Sequence, residues 1–292
     1  MASLKEIKAQ ISSVKSTQKI TSAMKMVASA KLRKAQYQID RFLPYQQRLD
    51  EMLDSFLSSI SDFDSNLAEK REIKRVAIVA LSSNSSLCGA FNSNIQRSLK
   101  EMLNKYNHLN AGDIEIYPVG KKIEEAVRKM NFPFKVMGSY IGLMDKPYFE
   151  RAKQVSDAII QDFLHHKIDQ VELIYNHYKS TASQVTTEEQ YLPICLTPVQ
   201  SNGFAIQTDY IVEPDKDTVL RSLIPKSLHS KIYAVLLDSA AAEQAARVVA
   251  MQIATDNATE ILADLTIQYN KQRQQAITSE LLDIIGGSEA LK

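Results

Sequence analysis

The residues of this chain best suited to chemistry are few and scattered. The stretch SSNSSLCGAFN combines serines, asparagines and the thiol of Cys88. It would follow a strand, where doubly wound sheets bind phosphate. It holds one glycine, Gly89, and no G-x-G-x-x-G, so its backbone lacks the freedom to approach a pyrophosphate. Gly120-Lys121 lacks the spacing and the Ser/Thr of a phosphate-binding P-loop, and there is no G-x-S-x-G. His165 and His166 adjoin at an expected helix end, where positive charge is favoured, but helix neighbours project about 100° apart and make a poor metal pair. His108, His177 and His229 have no partners at ligand spacing. Cys88 and Cys195 are isolated thiols, which make neither a disulfide framework nor a zinc site, and Cys88 has no base placed beside it. The residues point to no catalytic centre, no cofactor and no metal. Two free thiols suit a reducing, intracellular setting.

The elements that would carry these residues are marked out by glycine. The first is Gly89, five follow between Gly112 and Gly203 inclusive, and none appears again until Gly286 and Gly287. Glycine costs a helix about 1 kcal/mol relative to alanine, so both ends read as long helices. From Leu4, alternate steps of three and four reach Ile7, Ile11, Val14, Gln18, Thr21, Lys25, Ala28, Leu32, Ala35, Ile39, Phe42, Gln46, Leu49, Leu53, Phe56 and Ile60, of which only Gln18, Thr21, Lys25 and Gln46 are polar. That is a coiled-coil seam, with Pro44 expected to kink or loosen it. From Gln18 to Lys25 the seam weakens, while Ile20, Met24, Met26 and Val27 point in several directions. A heptad stutter and a third contacting surface both explain this. The second helix is expected from about Lys216 to Ile285, stopped by Gly286-Gly287, with core candidates Val219, Leu223, Ile232, Val235, Ala242, Ala246, Val249, Ile253, Ile261, Leu265 and Tyr269. Ala240, Ala241, Ala242, Ala245 and Ala246 form a small-residue patch for close helix approach. Two such helices pair most economically antiparallel.

Charge is polarised along the first helix. Through Arg48, ten basic residues face only Glu6 and Asp40, and the sign reverses from Leu49 to Glu72, so the whole-chain charge of +1 conceals the asymmetry. No apolar run approaches the ~20 residues of a membrane span. The start MASLKEIK is too charged for a signal peptide. Between the helices, short β runs alternate with amphipathic helices: strands at Arg75 to Ser83, Ile114 to Gly120 and Val171 to Asn176, and helices at Asn92 to Asn107, up to Met130, and Tyr148 to His166. This indicates a mostly parallel, doubly wound sheet, with Thr181 to Gln200 as an edge hairpin. The expected fold is α/β: a long antiparallel coiled coil of N- and C-terminal helices plus a small Rossmann-like α/β domain. Its parts are residues 1–72, 73–208 and 209–292.

KEIKAQISSVKSTQKITSAMKMVASAKLRKAQ, from Lys5 to Gln36, closely resembles the start of the gamma subunits of F-type ATP synthases. The segment AEQAARVVAMQIATDNATEILADLTIQYNKQRQQAITSELLDIIGG, from Ala242 to Gly287, resembles their end. SLCGAFN (Ser86 to Asn92), GKK (Gly120 to Lys122), IYNHYKS (Ile174 to Ser180) and DYIVEPD (Asp209 to Asp215) agree between them. There are departures. Asn84, Ser85 and Ser86 stand before Leu87 where an Asp-Arg pair and a glycine are common, Ala242 replaces a usual serine, and Val199 to Thr208 carries no cysteine of the chloroplast dithiol insert.

The resemblance implies a non-catalytic rotor: the central rotating shaft that couples ion-driven rotation of the membrane c-ring to conformational change at beta-subunit catalytic sites. It implies as partners three alpha and three beta subunits, the epsilon subunit and the c-ring, without nucleic acid and without direct membrane insertion. On matching positions, Met24, Lys25, Arg273 and Gln274 would meet beta subunits, and the charge of the basic segment adds Lys19 and Lys31 to that contact. Leu281, Leu282, Ile284 and Ile285 would form an apolar bearing tip, and Asp209, Tyr210 and Glu213 would meet the c-ring. The expected location is peripheral, on the cytoplasmic side of a bacterial inner membrane, with mature organellar forms as the other source. The competing readings are a coiled-coil adaptor using its basic helix on nucleic acid or anionic membrane, and an α/β enzyme with helical appendages.

Overall fold

A computed structural model describes residues 4–58, 65–69, 71–110, 112–130, 134–194, 212–213 and 215–290. In chain order these form α1 (Leu4–Ser58), β1 (Val76–Leu81), α2 (Phe91–Lys105), β2 (Ile114–Val119), α3 (Lys121–Val127), β3 (Lys135–Val136), α4 (Ile141–Asp145), α5 (Phe149–Leu164), β4 (Gln170–Tyr178), β5 (Gln184–Leu192) and α6 (Lys216–Ala290). Both glycine-poor ends are helical. Pro44 lies inside α1, and the helix continues past it. Gly286 and Gly287 do not stop α6, which runs on to Ala290 and bears their propensity cost of about 1 kcal/mol each. Two compact units divide the chain: Met1–Ala28 with Arg247–Lys292, and Ser29–Ala246.

The second unit is built on a five-stranded sheet of order β3-β2-β1-β4-β5. β1 is parallel to β2 and β4, β2 is parallel to β3, and β5 returns antiparallel to β4. All six residues of β1 are buried, as a continuous apolar run covered on both faces requires. Ala77, Val79 and Leu81 face one core with Val155, Ile159 and Phe163 of α5 and Ile224, Ile232 and Val235 of α6. Val76, Ile78 and Ala80 face the other with Ile95, Leu99 and Met102 of α2 and Ile123 of α3. In place of a hairpin within Thr181 to Gln200, the described residues there form one edge strand, β5. It pairs with β4 across a turn closed by backbone hydrogen bonds exchanged between Ser180 and Ser183. Residues 195–200, like Ile60 of the expected seam, lie outside the described residues. A bulge leaves Tyr191 between the paired positions Gln190 and Leu192. There its ring is buried and its hydroxyl lies 2.6 Å from Ser156 Oγ. β3 and α4 were not legible as elements, being too short to show a period.

The small-residue patch of α6 serves two neighbours at once. Ala241 and Ala245 pack with Leu32 and Ala35 of α1. Ala242 and Ala246, on the adjoining face, pack with Cys88 and Phe91, with Tyr178 alongside. A longer side chain on either face would push one neighbour away. Ala242→Leu is therefore expected to destabilise the chain by about 1–3 kcal/mol through overpacking. Denaturant unfolding followed by far-UV circular dichroism checks the loss, and faster labelling of the Cys88 thiol checks its location.

Candidate functional site

The place where a doubly wound sheet would hold a ligand is the crevice at the carboxyl ends of β1 and β4, the switch point of this strand order. Here the chain's own atoms occupy it, with Asn176 Nδ2 donating to the Phe91 carbonyl at 3.0 Å and Cys88 packed against Ala242, and the adjoining β1–β2 end is filled as well. Gly120, at φ +103°, passes so close to β1 that a Cβ would stand 2.1 Å from the Ser82 carbonyl oxygen. That glycine is a packing requirement and not part of a phosphate loop. The amides opening α3 are already engaged: Lys121 N–H donates to Asn84 Oδ1 (2.9 Å), Lys122 N–H to Ser83 O (3.1 Å) and Ile123 N–H to Ser82 Oγ (2.8 Å). Asn92 accepts from Ser83 N–H at 3.1 Å and donates to Cys88 Sγ at 3.2 Å, beneath Ala242 and Ala246. Leu87 behaves differently. It takes a left-handed backbone (φ 66°) and holds an apolar side chain out to solvent, a strained arrangement of the kind kept at contact surfaces.

The unit of Met1–Ala28 and Arg247–Lys292 is an antiparallel helix pair. Leu4, Ile7, Ile11, Val14, Gln18, Thr21, Lys25 and Ala28 are all buried or half-buried, in the predicted three-four spacing. The seam therefore does not fail between Gln18 and Lys25. It changes chemistry. Gln18 Nε2 donates to Thr259 Oγ1 (2.8 Å), and the Thr259 hydroxyl donates to the Thr255 carbonyl (2.9 Å). The Thr255 and Thr21 hydroxyls lie 2.9 Å apart, with the Met251 carbonyl 2.7 Å from the first and the Gln18 carbonyl 3.1 Å from the second, so two protons are shared among three contacts that complete a ring of polar groups between the helices. One turn on, Lys25 Nζ donates to Gln252 Oε1 (2.7 Å), whose amide donates to both oxygens of Asp256 (2.8 and 2.9 Å). A polar seam satisfied this fully costs little, because each buried group keeps a partner.

On α6 the matching seam is Met251, Thr255, Ala258, Leu262, Leu265, Tyr269 and Gln272. Leu265 and Tyr269 lie in it as expected. Ile253 and Ile261 do not, and stand 55% and 48% exposed on the outer faces. Ile20, Met26 and Val27 of α1 are likewise exposed. These apolar residues disagreed with the seam because they do not belong to it. From Arg273 to Ile285 every side chain of α6 is exposed. The α1 register explains this, because extending the pairs 18–259 and 25–252 brings Leu4 level with the turn at Arg273.

The predicted contact residues fall into distinct settings. Lys19 and Lys31 are exposed, Met24 is half-buried, and Lys25 is half-buried and engaged by Gln252. Arg273 and Gln274 are exposed at the start of the unpaired turns. Leu281, Leu282, Ile284 and Ile285 are 54%, 63%, 65% and 58% exposed, a concentration of apolar surface that a finished surface rarely shows. Glu213 is exposed, while Asp209 and Tyr210 lie outside the described residues. The residues that sequence reasoning missed are Gln252, Thr255 and Thr259. Polar seam positions on α1 were the signal that such partners had to exist on α6.

Residues 3–291 match the family described as ATP synthase. The "ATP synthase gamma chain" of Azobacteroides pseudotrichonymphae is 62% identical over 292 residues, covering all of both chains. That of Bacteroides fragilis is 53% identical, over 99% of this chain and 100% of the relative. Among solved structures, a chain of the Tetrahymena thermophila mitochondrial ATP synthase central stalk and c-ring is 26% identical, with a TM-score of 0.58 over 80% of this chain and 99% of that one. A chain of the Euglena gracilis mitochondrial ATP synthase in rotational state 3 shares the fold, at 19% identity and a TM-score of 0.65 over 99% of this chain and 94% of that one.

The ring of polar groups between the helices makes a quantitative expectation. Thr21→Val and Thr255→Val should each cost about 1 kcal/mol, and the double variant should cost little more than either alone. A double-mutant cycle on urea midpoints measures the coupling, and strictly additive losses would mean that the two hydroxyls do not act on each other.

Proposed function

The chain belongs to the family of ATP synthase gamma chains, and from that premise we propose that it is the central rotating shaft, coupling ion-driven rotation of a membrane c-ring to conformational change at beta-subunit catalytic sites. Its work is contact, not bond-making. One observation carries the reading: α6 outruns its partner helix and presents a solvent-exposed apolar end to whatever surrounds it. Such an end buries its leucines and isoleucines only inside another protein. A sleeve of alpha and beta subunits supplies that surroundings, with Leu281, Leu282, Ile284 and Ile285 as the bearing.

Driving one catalytic site between two states, from 1:99 to 99:1, takes about 5.5 kcal/mol of differential contact energy. A single exposed ion pair supplies about 1 kcal/mol or less, so the work is spread along the helix pair. We assign its charged part to Lys19, Lys31 and Arg273, with Gln274 beside them, and its apolar part to Met24 and the exposed Ile20, Met26 and Val27. Lys25 acts through the seam, since its ammonium is held by Gln252. Asp209, Tyr210 and Glu213 serve the c-ring contact by their match to the family, and the epsilon subunit completes the rotor. No helix among the described residues is long and apolar enough to cross a membrane. Together with bacterial relatives, this supports a peripheral position on the cytoplasmic face of a bacterial inner membrane.

Mixing the chain with its organism's alpha and beta subunits tests the role directly. A complex whose ATP hydrolysis turns a probe fixed to this chain supports it, and a complex that hydrolyses ATP while the probe stays still refutes it. Within that complex, Lys19→Glu with Lys31→Glu is expected to lower coupled ATP synthesis in reconstituted vesicles by roughly five- to tenfold with unchanged melting of the chain. Lys25→Glu should differ, because it sets a carboxylate against Gln252 and Asp256 and lowers the melting temperature as well. Ser at Leu281, Leu282, Ile284 and Ile285 together should weaken assembly with alpha and beta subunits while leaving the helix pair folded, as sedimentation and circular dichroism would record.

A further inference from the structure

The apolar contact between the sheet and the two long helices is interrupted. On β4 the core shared with α6 ends at Tyr175, and on β5 it begins only at Tyr191. The intervening residues 176–190 form the outer part of the β4–β5 hairpin. A cavity of about 960 Å³ lies between this hairpin, α1 residues 39–54 and α6 residues 224–238. Over that span hydrocarbon packing cannot hold the hairpin to the helices.

Polar contacts span it instead. Lys231 Nζ donates to Glu189 at 2.7 Å, and the Tyr175 hydroxyl donates to the same carboxylate at 3.4 Å. Two turns along the same face of α6, Asp238 accepts the Tyr178 N–H at 2.9 Å, and its other oxygen lies 2.6 Å from His177 Nδ1. His177 is 52% exposed, so solvent screens that pair, and the charge-assisted bond to the amide is the firm one. From the other helix, Gln36 Nε2 donates to the Tyr178 hydroxyl at 2.8 Å. The Tyr178 ring packs alongside Leu32 and Ala35 of α1 and Ala242 and Ala246 of α6. Tyr178 is thus held by α1 through its hydroxyl, by α6 through its amide and by the sheet through its own strand.

We propose that Tyr178 is a positioning residue that makes the sheet, α1 and α6 turn as one body, with Gln36 and Asp238 as its anchors. Packing alone would require the ring, but neither the hydroxyl nor its two partners. The alanines beside it present a smooth surface on which helices can turn at small cost, whereas hydrogen bonds have fixed directions and resist that motion. For the rotor role proposed above, on which this rests, the brace has a mechanical meaning. A load on the sheet enters the helices at two places. One is the apolar core around Ile224, Leu228 and Ile232, and the other is Tyr178, where the cavity ends at Ile39 and Asp238. Without the second, the hairpin swings over the cavity before the load reaches α1.

The test starts on the full chain carrying Cys195→Ser, since Cys88 is buried. Spin labels on Ala182→Cys in the hairpin turn and on Gln47→Cys of α1 or Ser222→Cys of α6, all exposed positions, report two distance distributions. Tyr178→Phe, which keeps the ring, and Gln36→Leu should each broaden the hairpin–α1 distribution roughly twofold, and together no further. Asp238→Leu should broaden the hairpin–α6 distribution, while Asp238→Asn, which can still accept the Tyr178 N–H, should restore it. Widths equal to the parent's in every variant would overturn the proposal. Circular dichroism reports folding, and if Asp238→Leu does not fold, Tyr178→Phe and Gln36→Leu decide. The mechanical consequence is read in the complex with alpha and beta subunits, from a bead on Ala182→Cys during pauses in ATP-driven rotation. Tyr178→Phe should widen the angular spread of that bead roughly twofold and leave a bead on Ser222→Cys unchanged. An unchanged spread at the hairpin would also overturn the proposal. A parent complex that hydrolyses ATP and turns neither bead refutes the rotor role instead, and the distances in the free chain still decide whether the brace exists.

Discussion

One turn of α6, from Ala241 to Ala246, carries the constraint on which the sheet unit depends. On one face it must let α1 approach, and on the next it must cover the turn that follows the first strand. Only side chains of about a methyl group satisfy both demands at native packing density. The same turn places buried alanines over Cys88, where an α/β sheet of this order would otherwise keep a crevice. A site that in other proteins admits a nucleotide is here the anchorage of a helix. The fold supplied a pocket, and this chain used it to hold a shaft.

The helix pair obeys a different rule. Its seam keeps one spacing throughout but alternates in chemistry, apolar at Ile7 and Ile11, then hydrogen-bonded at Gln18, Thr21 and Lys25, then apolar again at Ala28. Dispersion contacts hold two helices together with little preference for direction, whereas donor and acceptor geometry is directional. A short polar stretch therefore fixes the relative rotation of the helices at one level, at small net cost because its groups are satisfied.

Much of this was legible in the amino-acid sequence. The α1 seam as far as Phe56, the three parallel strands and the family followed from spacing, glycine placement and terminal motifs. The hairpin expected within Thr181 to Gln200 is in its described part a single edge strand paired with β4. What was illegible has physical causes. The polar seam positions looked like a break because periodicity counts apolar residues, and hydrogen bonds across 227 to 241 residues of chain leave no local trace. Ile253 and Ile261 read as core because they are apolar, yet they lie outside the seam and are exposed. Gly286 and Gly287 carry the propensity of a stop, but α6 continues through them to Ala290. The contact residues on the shaft are the least legible, since exposure shows which side chains are available and not which partner they meet.

The end of α6 has a thermodynamic consequence of its own. From Arg273 to Ile285 its side chains are all exposed among the described residues, so these turns rest on the hydrogen bonds of one helix. Two glycines near its end lower the propensity further. The upstream part of α6 supplies the helix nucleus, so these turns stand on propagation alone, and any surface that buries their leucines and isoleucines adds stability that they lack in isolation. Ordering of this end and its burial are therefore thermodynamically linked: whatever binds the helical turns favours them over coil by the same free energy.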